Sequence, residues 1–264
     1  MYNLNTIINK LLNMFRFICT LFVLLCFTNC IVFAKEKTTI TCLSEDDAYS
    51  RAELLFQKKK YNAAAKQFFD IFVQHLGSNT ATKAELMRGY SLYLAGQYSE
   101  ASEVLDNFIR LHPVHQKIAD VYYLKALAEY KQAHNQQDLE QLLHARLELQ
   151  QVIDKFPKSD FAIKAKEKIN VISKNLAGSQ IDIGKFYLNK KNPIAALNRF
   201  NTVVDKYSHT SYYPEAIYRI AQSYALLGRK QEMKEQLAIL NSKFPNSSWS
   251  KRASSLLQLN DCNA

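Results

Sequence analysis

The sequence predicts an all-α protein, a superhelical solenoid of about five helix-turn-helix units. Apolar residues recur at helical spacing on both sides of short breaks, as in "GYSLYLAGQYSEASEVLDNFIRLHP" at residues 89–113. The 264 residues include only 6 Gly and 5 Pro and few strand signals, which is typical of helices joined by short turns. One helical hairpin cannot bury its own apolar face, so further units are expected beside it.

The stretch 89–113 shows how one unit is built. Gly96 breaks the first helix. Pro113 ends the second helix because proline has no N–H to continue it. Gly89 and Ala101 are small, and we expect them where the two helices cross closely. Each unit therefore consists of two amphipathic helices, a small residue in each, and a closing turn.

The arrangement recurs along the chain. A step of 37 residues from Gly89 leads back to Ala52 and forward to Ala126, and the same step joins Gly184 to Ala221. The matching positions in the second helices are Ala64, Ala101, Ala145, Ala196 and Met233, and Pro113, Pro157 and Pro245 close units. The pattern resembles the tetratricopeptide repeat, whose period is about 34 residues.

Two stretches interrupt this regularity. The Gln-rich stretch 132–143 is interpreted as an insert between two helices. Residues 159–190 are long enough for one helix or two, because Gly178 interrupts them.

The N-terminus predicts export. Lys10 and Arg16 precede the apolar run 17–28, which is short for a membrane span and matches the hydrophobic region of a secretory signal. Two processing routes remain open. A signal peptide 1–34 would be cleaved after Ala34, whereas lipidation of Cys30 would make residue 30 the first of the mature chain. The residues around the two sites slightly favour cleavage after Ala34.

Cysteine use and charge add further expectations. Cys42 and Cys262 lie at opposite ends of the solenoid, and a disulfide needs Cα atoms within about 7 Å, so they are predicted to be unpaired within one chain. The net charge is +10, or +8 without Lys10 and Arg16, and the charges are scattered as solvated helix faces. With no Gly-rich phosphate loop and no nucleic-acid motif, no nucleic-acid partner is predicted.

Nothing in the sequence indicates catalysis. His112 and His115 flank Pro113, but no further ligand completes a metal set, so a repeat junction is expected there. No nucleophile or metalloprotease motif occurs in the mature chain. We therefore predict a protein that is not an enzyme, with no catalytic residue, no metal and no cofactor.

Three stretches carry a more specific signature. They are "LDNFIRLHPVHQKIADVYYLKALAEY" (105–130), "LQQVIDKFPKSDFAIKAKEKI" (149–169) and "GKFYLNKKNPIAALNRFNTVVDKY" (184–207). Together they resemble the outer-membrane protein assembly factor BamD family, also called ComL-like. The resemblance covers the solenoid at 46–249 and leaves 250–264 as a C-terminal tail.

The resemblance implies a scaffold of the Bam complex on the periplasmic face of the outer membrane, which binds the barrel protein BamA through its C-terminal repeats. It favours a lipid anchor on Cys30. Within "AALNRF", Ala196 and Phe200 should pack inward and display Asn198 and Arg199. Arginine forms bidentate pairs with carboxylates, and the motif implies that Asn198 and Arg199 contact BamA. The alternative is a soluble periplasmic repeat protein that coordinates envelope or cell-division partners and is processed after Ala34.

The first helix of each unit is expected to line the concave side of the solenoid. Of the nine positions that face this side in the first three units, six are aromatic: Tyr49, Phe56, Tyr90, Tyr93, Tyr123 and Tyr130. The other three are Glu53, Leu86 and Leu127. In a later unit the same positions hold Tyr218, Gln222 and Ala225. Aromatic side chains give contact area at small entropic cost and dominate interface hot spots. Our hypothesis is that this groove captures an extended segment of an unfolded outer-membrane protein.

Overall fold

The computed structural model describes residues 44–261, with side chains described as far as residue 258. The chain divides into two units between Arg51 and Ala52. The described part of the first unit is residues 44–51, and everything described below belongs to the second unit unless stated. The leader, Cys30, Cys42 and Cys262 lie outside the described residues.

The regular structure of the described residues is entirely helical. In chain order the helices are α1 (Glu45–Gln57), α2 (Tyr61–Gln74), α3 (Asn79–Leu94), α4 (Tyr98–Leu111), α5 (Ile118–Gln136), α6 (Leu139–Lys155), α7 (Asp160–Asn189), α8 (Pro193–Lys206), α9 (Tyr213–Leu226), α10 (Lys230–Lys243) and α11 (Ser248–Asp261). They form five successive pairs followed by α11. The predicted solenoid of five helix-turn-helix units is confirmed.

The order of helix contacts gives the part of the chain from Ala52 onward an inner and an outer side. From α2 onward each helix packs against the next, and the odd-numbered helices α3, α5, α7, α9 and α11 also contact one another in order. Within the described part of the chain, no such contact joins the even-numbered helices. The odd-numbered helices therefore lie on the tighter side of the curve, as expected for stacked helix pairs. We call the face they form the inner surface.

Small residues sit where paired helices cross. Ala52, Ala126 and Ala221 are fully buried, and so are Ala64, Ala101, Ala145 and Ala196 in the second helices. A Cβ added at Gly89 would lie 2.6 Å from Leu105 Cδ2, and one added at Gly184 would lie 2.6 Å from Phe200 Cζ. The predicted close crossings are therefore confirmed.

The turns inside the helix pairs share one backbone feature, a residue in the left-handed conformation. A residue with positive φ stands in every one: Lys59 (58°), Gly96 (82°), Gln137 (54°), Lys191 (57°) and Gly228 (71°). Only two of the five are glycine, which is the residue that adopts this conformation without steric cost. The helices α4, α6 and α10 each end two residues before a proline, as expected from Pro113, Pro157 and Pro245.

The prediction of an insert at 132–143 is wrong. Helix α5 runs to Gln136 and α6 begins at Leu139, so the extra residues lengthen the two helices and leave a turn of only Gln137 and Asp138. The Asp138 carboxylate accepts hydrogen bonds from the N–H groups of Glu140 (2.9 Å) and Gln141 (3.1 Å). This side-chain cap is what starts α6 at once.

The segment 159–190, which the sequence left open as one helix or two, contains a single helix, α7, of 30 residues. Gly178 lies inside it, where a Cβ would come 3.0 Å from the Tyr212 ring. The glycine thus admits Tyr212 against the helix rather than ending it.

The C-terminal boundary also differs from the sequence-based one. Residues assigned to a tail from 250 onward begin inside α11, which runs from Ser248 to Asp261. Ala253 is fully buried, and Leu256 and Leu257 pack against the core formed by α9 and α10. Apolar burial at helical spacing explains why this segment folds onto the last pair.

Candidate binding surfaces

Three of the predicted groove residues lie half-buried on the inner helices α3 and α5: Tyr90, Tyr93 and Tyr123. The Tyr93 ring lies 5.7 Å from that of Tyr98, and the Tyr123 ring lies 5.7 Å from that of Phe161. These aromatic contacts hold each ring in place. The inner surface around α3 and α5 therefore presents fixed, partly exposed tyrosine side chains.

Tyr90 is tied across two inner helices. Its hydroxyl donates a hydrogen bond to the Asp120 carboxylate on α5. Burial raises the pKa of the Tyr90 phenol, and the hydrogen bond and the negative charge of Asp120 raise it further. Burial likewise raises the pKa of Tyr93 and of Tyr123. All three side chains are neutral donors at neutral pH.

The remaining groove residues are placed differently. Tyr130 is only 7% exposed and belongs to the core around α5 to α9, where its ring stacks on His134 at 5.7 Å and faces Lys168 Nζ at 5.0 Å. Phe56 contacts the Tyr61 ring at 5.5 Å. Tyr49 lies on α1 within the first unit. The tyrosines of α3 and α5 are thus the part of the predicted set that the structure brings together.

Asn198 and Arg199 lie on the outer helix α8. Ala196 and Phe200 are fully buried, as the motif predicted. Asn198 is exposed and Arg199 is half-buried. Both side chains can therefore be reached from outside the solenoid.

A charged cluster that the sequence did not predict joins α4, α5 and α6. Lys125 Nζ lies 3.1 Å from Asp106 Oδ1, 3.1 Å from Glu148 Oε2 and 3.7 Å from Glu129 Oε1. Burial lowers the pKa of Lys125, but the carboxylates outweigh burial, so that the pKa is raised. The cluster borders a cavity of about 470 Å³. Its members come from three helices, so no local sequence pattern marks them.

The same cluster contains the arrangement closest to a metal site within the described residues. Ligand atoms of Glu129, His144 and Glu148 lie within 4.8 Å of one another. Carboxylate and imidazole ligands suit zinc. However, the Lys125 ammonium already compensates two of these carboxylates, which weakens their attraction for a further cation.

His112 and His115 lie at the junction between α4 and α5, as expected. Both rings contact Phe108, at 4.8 Å and 5.2 Å. His112 Nε2 lies 3.4 Å from the carboxylate of the buried residue Glu85. Burial raises the pKa of Glu85, and His112 and Arg88 offset only part of this effect. The two histidines therefore serve repeat packing.

Stacked helix pairs with small residues at their crossings define a tetratricopeptide-repeat protein, here with tyrosines on its inner surface. Among the helices of residues 44–261, none combines the length and the hydropathy that a membrane span requires. The sequence matches the YfiO family, described as an outer membrane lipoprotein, over residues 43–240.

Relatives with known names give the same result. The chain is 44% identical to the outer membrane protein assembly factor BamD of Rickettsia prowazekii over 76% of this chain and 80% of that protein. It is 32% identical to BamD of Caulobacter vibrioides over 80% of this chain and 70% of that protein. The chain belongs to the BamD family of outer membrane lipoproteins.

Among solved structures, the chain is similar to the TPR2AB-domain:pHSP90-complex of yeast Sti1. The identity is 14%, the alignment covers 81% of this chain and 83% of that chain, and the TM-score is 0.42.

Proposed function

We propose that this chain serves outer-membrane protein assembly as a lipid-anchored periplasmic scaffold, with one surface for BamA and another for unfolded substrate. Membership of the BamD family supports the assembly role. The proposal assigns the substrate to the inner surface around α3 and α5 and BamA to the C-terminal repeats.

The observation that carries the substrate surface is the set of half-buried tyrosines Tyr90, Tyr93 and Tyr123 on adjacent inner helices. Fixed aromatic side chains lose little conformational entropy on binding. The hydroxyl groups of Tyr93 and Tyr123 are neutral donors, which suits an extended segment with exposed carbonyl groups, whereas the Tyr90 hydroxyl already donates to Asp120 and leaves its ring for contact. An unfolded outer-membrane strand, apolar on one face, has this chemistry.

Site-specific photo-cross-linking tests the substrate surface. A cross-linking amino acid at position 93 should capture unfolded outer-membrane protein in envelopes, and one at the exposed Lys174 of α7 should not. Replacing both Tyr90 and Tyr93 by Ala should abolish capture at a third inner position, Tyr123. Unchanged capture in a double variant with a normal far-UV spectrum would remove the hypothesis.

The BamA surface is proposed to include Asn198 and Arg199 on α8. Arg199 can form a two-point hydrogen bond with a carboxylate of the partner, which a lysine cannot reproduce. Arg199→Glu should therefore greatly reduce the BamA that co-purifies with a tagged chain in mild detergent. Lys174→Glu is the matched charge reversal at an exposed position of α7 and should leave co-purification intact. Equal recovery with both variants would count against this contact.

The membrane anchor is proposed to be a lipid on Cys30. Two acyl chains on the cysteine and a third on its amino group hold a protein stably on a bilayer, whereas one chain does so only marginally. Cys30→Ser should abolish labelling by radioactive palmitate and release the chain from the membrane fraction. A mature N-terminus at residue 35 in the unsubstituted protein would instead establish cleavage after Ala34.

A further inference from the structure

The far end of the inner surface carries a second aromatic group with different surroundings. The Trp249 indole on α11 lies 5.3 Å from the Tyr218 ring on α9. The Arg219 guanidinium lies 5.3 Å from the indole centroid, and the Arg252 guanidinium lies 4.8 Å from it. We call Tyr218, Arg219, Trp249 and Arg252 the Trp249 cluster.

The two arginines differ in what else they contact. Arg219 is 20% exposed in its side chain, lies 3.4 Å from Glu215 Oε1 and donates to Gln222 Oε1 at 3.0 Å. Arg252 is exposed, and its contact is with the indole. Of the described residues, none places a carboxylate within ion-pair distance of Arg252. One guanidinium is therefore fixed by the protein, and the other is held over an aromatic face with its donors directed to solvent.

The charge of the surrounding region favours an anionic occupant. Residues 158–258 contain 17 Lys and Arg against 7 Asp and Glu, whereas residues 44–157 contain 13 against 15. A surface with this excess attracts acidic partners and speeds their association. Glu215 is the acid that contacts the cluster, and it is already engaged with Arg219.

The position of the cluster restricts the shape of that occupant. Helices α9 and α11 are adjacent inner helices, so the cluster lies on the tighter side of the curve. An extended chain can follow such a side, whereas a flat bilayer meets it poorly. Guanidinium groups pair with carboxylates at two points, and an indole supplies contact area between them.

We propose that the Trp249 cluster binds an extended acidic segment of a partner protein, with its carboxylates on Arg252 and Arg219 and an apolar residue on the indole. This site is separate from the proposed substrate surface on α3 and α5 and from Arg199 on α8.

Tryptophan fluorescence tests the proposal directly, because Trp249 is the only tryptophan of the chain. The full chain, purified from envelopes in detergent, is titrated with a short peptide rich in Asp and Glu around one Phe. The matched peptide carries Asn and Gln instead. We expect a saturable change in emission with the acidic peptide alone, and its loss at high salt.

Variants locate the effect. Arg252→Gln should weaken acidic peptide binding about tenfold, the usual effect of losing one charge-assisted pair. Arg252 is exposed, so the substitution leaves the core intact. Lys251→Gln removes the same charge from the preceding exposed residue and should leave binding unchanged.

Three outcomes would overturn the proposal. They are equal binding of the amide peptide, equal weakening by Lys251→Gln, and an emission response to anionic phospholipid vesicles but not to the acidic peptide. The readout uses neither BamA nor outer-membrane substrate, so its failure is distinguishable from failure of the proposed function.

Discussion

The two ends of the inner surface use aromatic residues in different electrostatic settings. On α3 and α5, Tyr90 is held by the Asp120 carboxylate. On α9 and α11, Tyr218 and Trp249 lie beside the Arg219 guanidinium. Tyr90 and Tyr218 stand at different positions of the repeat, one residue after Gly89 and three residues before Ala221, and both positions are expected to face the inner surface. The repeat thus places aromatic residues at both ends of the inner surface, and the charged groups beside them differ in sign.

The charge balance extends this contrast beyond the contact residues. Acids outnumber bases slightly over residues 44–157, and bases strongly outnumber acids over residues 158–258. A lysine should therefore contribute more to folding stability in residues 44–157, where acids are in excess, than in residues 158–258. The predictions below test or sharpen this contrast, beginning with the largest expected effect.

Lys125→Met should cost about 2–3 kcal/mol of folding free energy, because it leaves the buried carboxylates of Glu148 and Glu129 uncompensated. The Lys125 side chain is 14% exposed. Since its pKa is raised, its contribution is complete below the ordinary value of 10.5 and is lost only above it. Denaturant unfolding at pH 7 measures the effect.

The matched control is Lys185→Met, which removes a 43% exposed lysine paired with Asp182 in the basic region. Exposed pairs contribute at most about 1 kcal/mol, so little change is expected. Equal losses for Lys125 and Lys185 would contradict the contrast between the regions.

Gly184→Ala should cost about 1–3 kcal/mol, because the new methyl group meets the buried ring of Phe200. Gly89→Ala should cost less, since it meets the end of the Leu105 side chain, which can rotate, and alanine also favours the helix. Parallel unfolding curves of the two variants give the comparison. A larger loss at Gly89 would show that Leu105 is as rigid as Phe200.

Tyr90→Phe should cost about 1 kcal/mol, because Asp120 loses its donor. The pKa of Tyr90 is raised above its ordinary value of 10.0, so the native protein loses stability as the pH rises above 10. The variant should lose less over the same range. Tyr218→Phe serves as the control from the basic region, and an equal response from it would oppose the assigned role of Asp120.

Glu85→Gln should have the smallest effect and the opposite sign. The raised pKa of this buried carboxyl means that ionisation opposes folding once the pH rises above the ordinary value of 4.5. The variant should therefore gain up to about 1 kcal/mol at pH 7 and nothing at pH 4. Glu103→Gln, an exposed acid on α4, should change neither value. A loss at pH 7 would mean that the ion pair with His112 outweighs burial.

The sequence predicted the features that repeat locally. Gly89, Ala101 and Pro113 specify a crossing and a stop, and the same pattern predicted the helix pairs. Position in the repeat also predicted three of the six groove residues, Tyr90, Tyr93 and Tyr123, which are partly exposed on inner helices. Tyr130 was predicted to face the groove but is buried, because the neighbouring helix α7 covers it. This burial depends on packing between helix pairs, which the spacing within one pair does not reveal.

Features built from distant residues could not be predicted in this way. The Lys125 cluster assembles carboxylates from three helices, and none has a distinctive local context. The glycine at position 178 of α7 makes room for Tyr212, which lies 34 residues further along the chain. Positive φ at Lys59, Gln137 and Lys191 is imposed by the helix pairs, because these residue types carry no signal for it.

The length of helix α7 sets the distance between the helix pairs that precede it and those that follow it. At 30 residues it is about 45 Å long, and it packs against α5 and α6 near one end and α8 and α9 near the other. If both proposed sites are occupied, a segment at the tyrosines of α3 and α5 and another at the Trp249 cluster would be kept apart by this continuous helix, which can curve only gently. Two segments bound in this way would be presented at a nearly constant spacing.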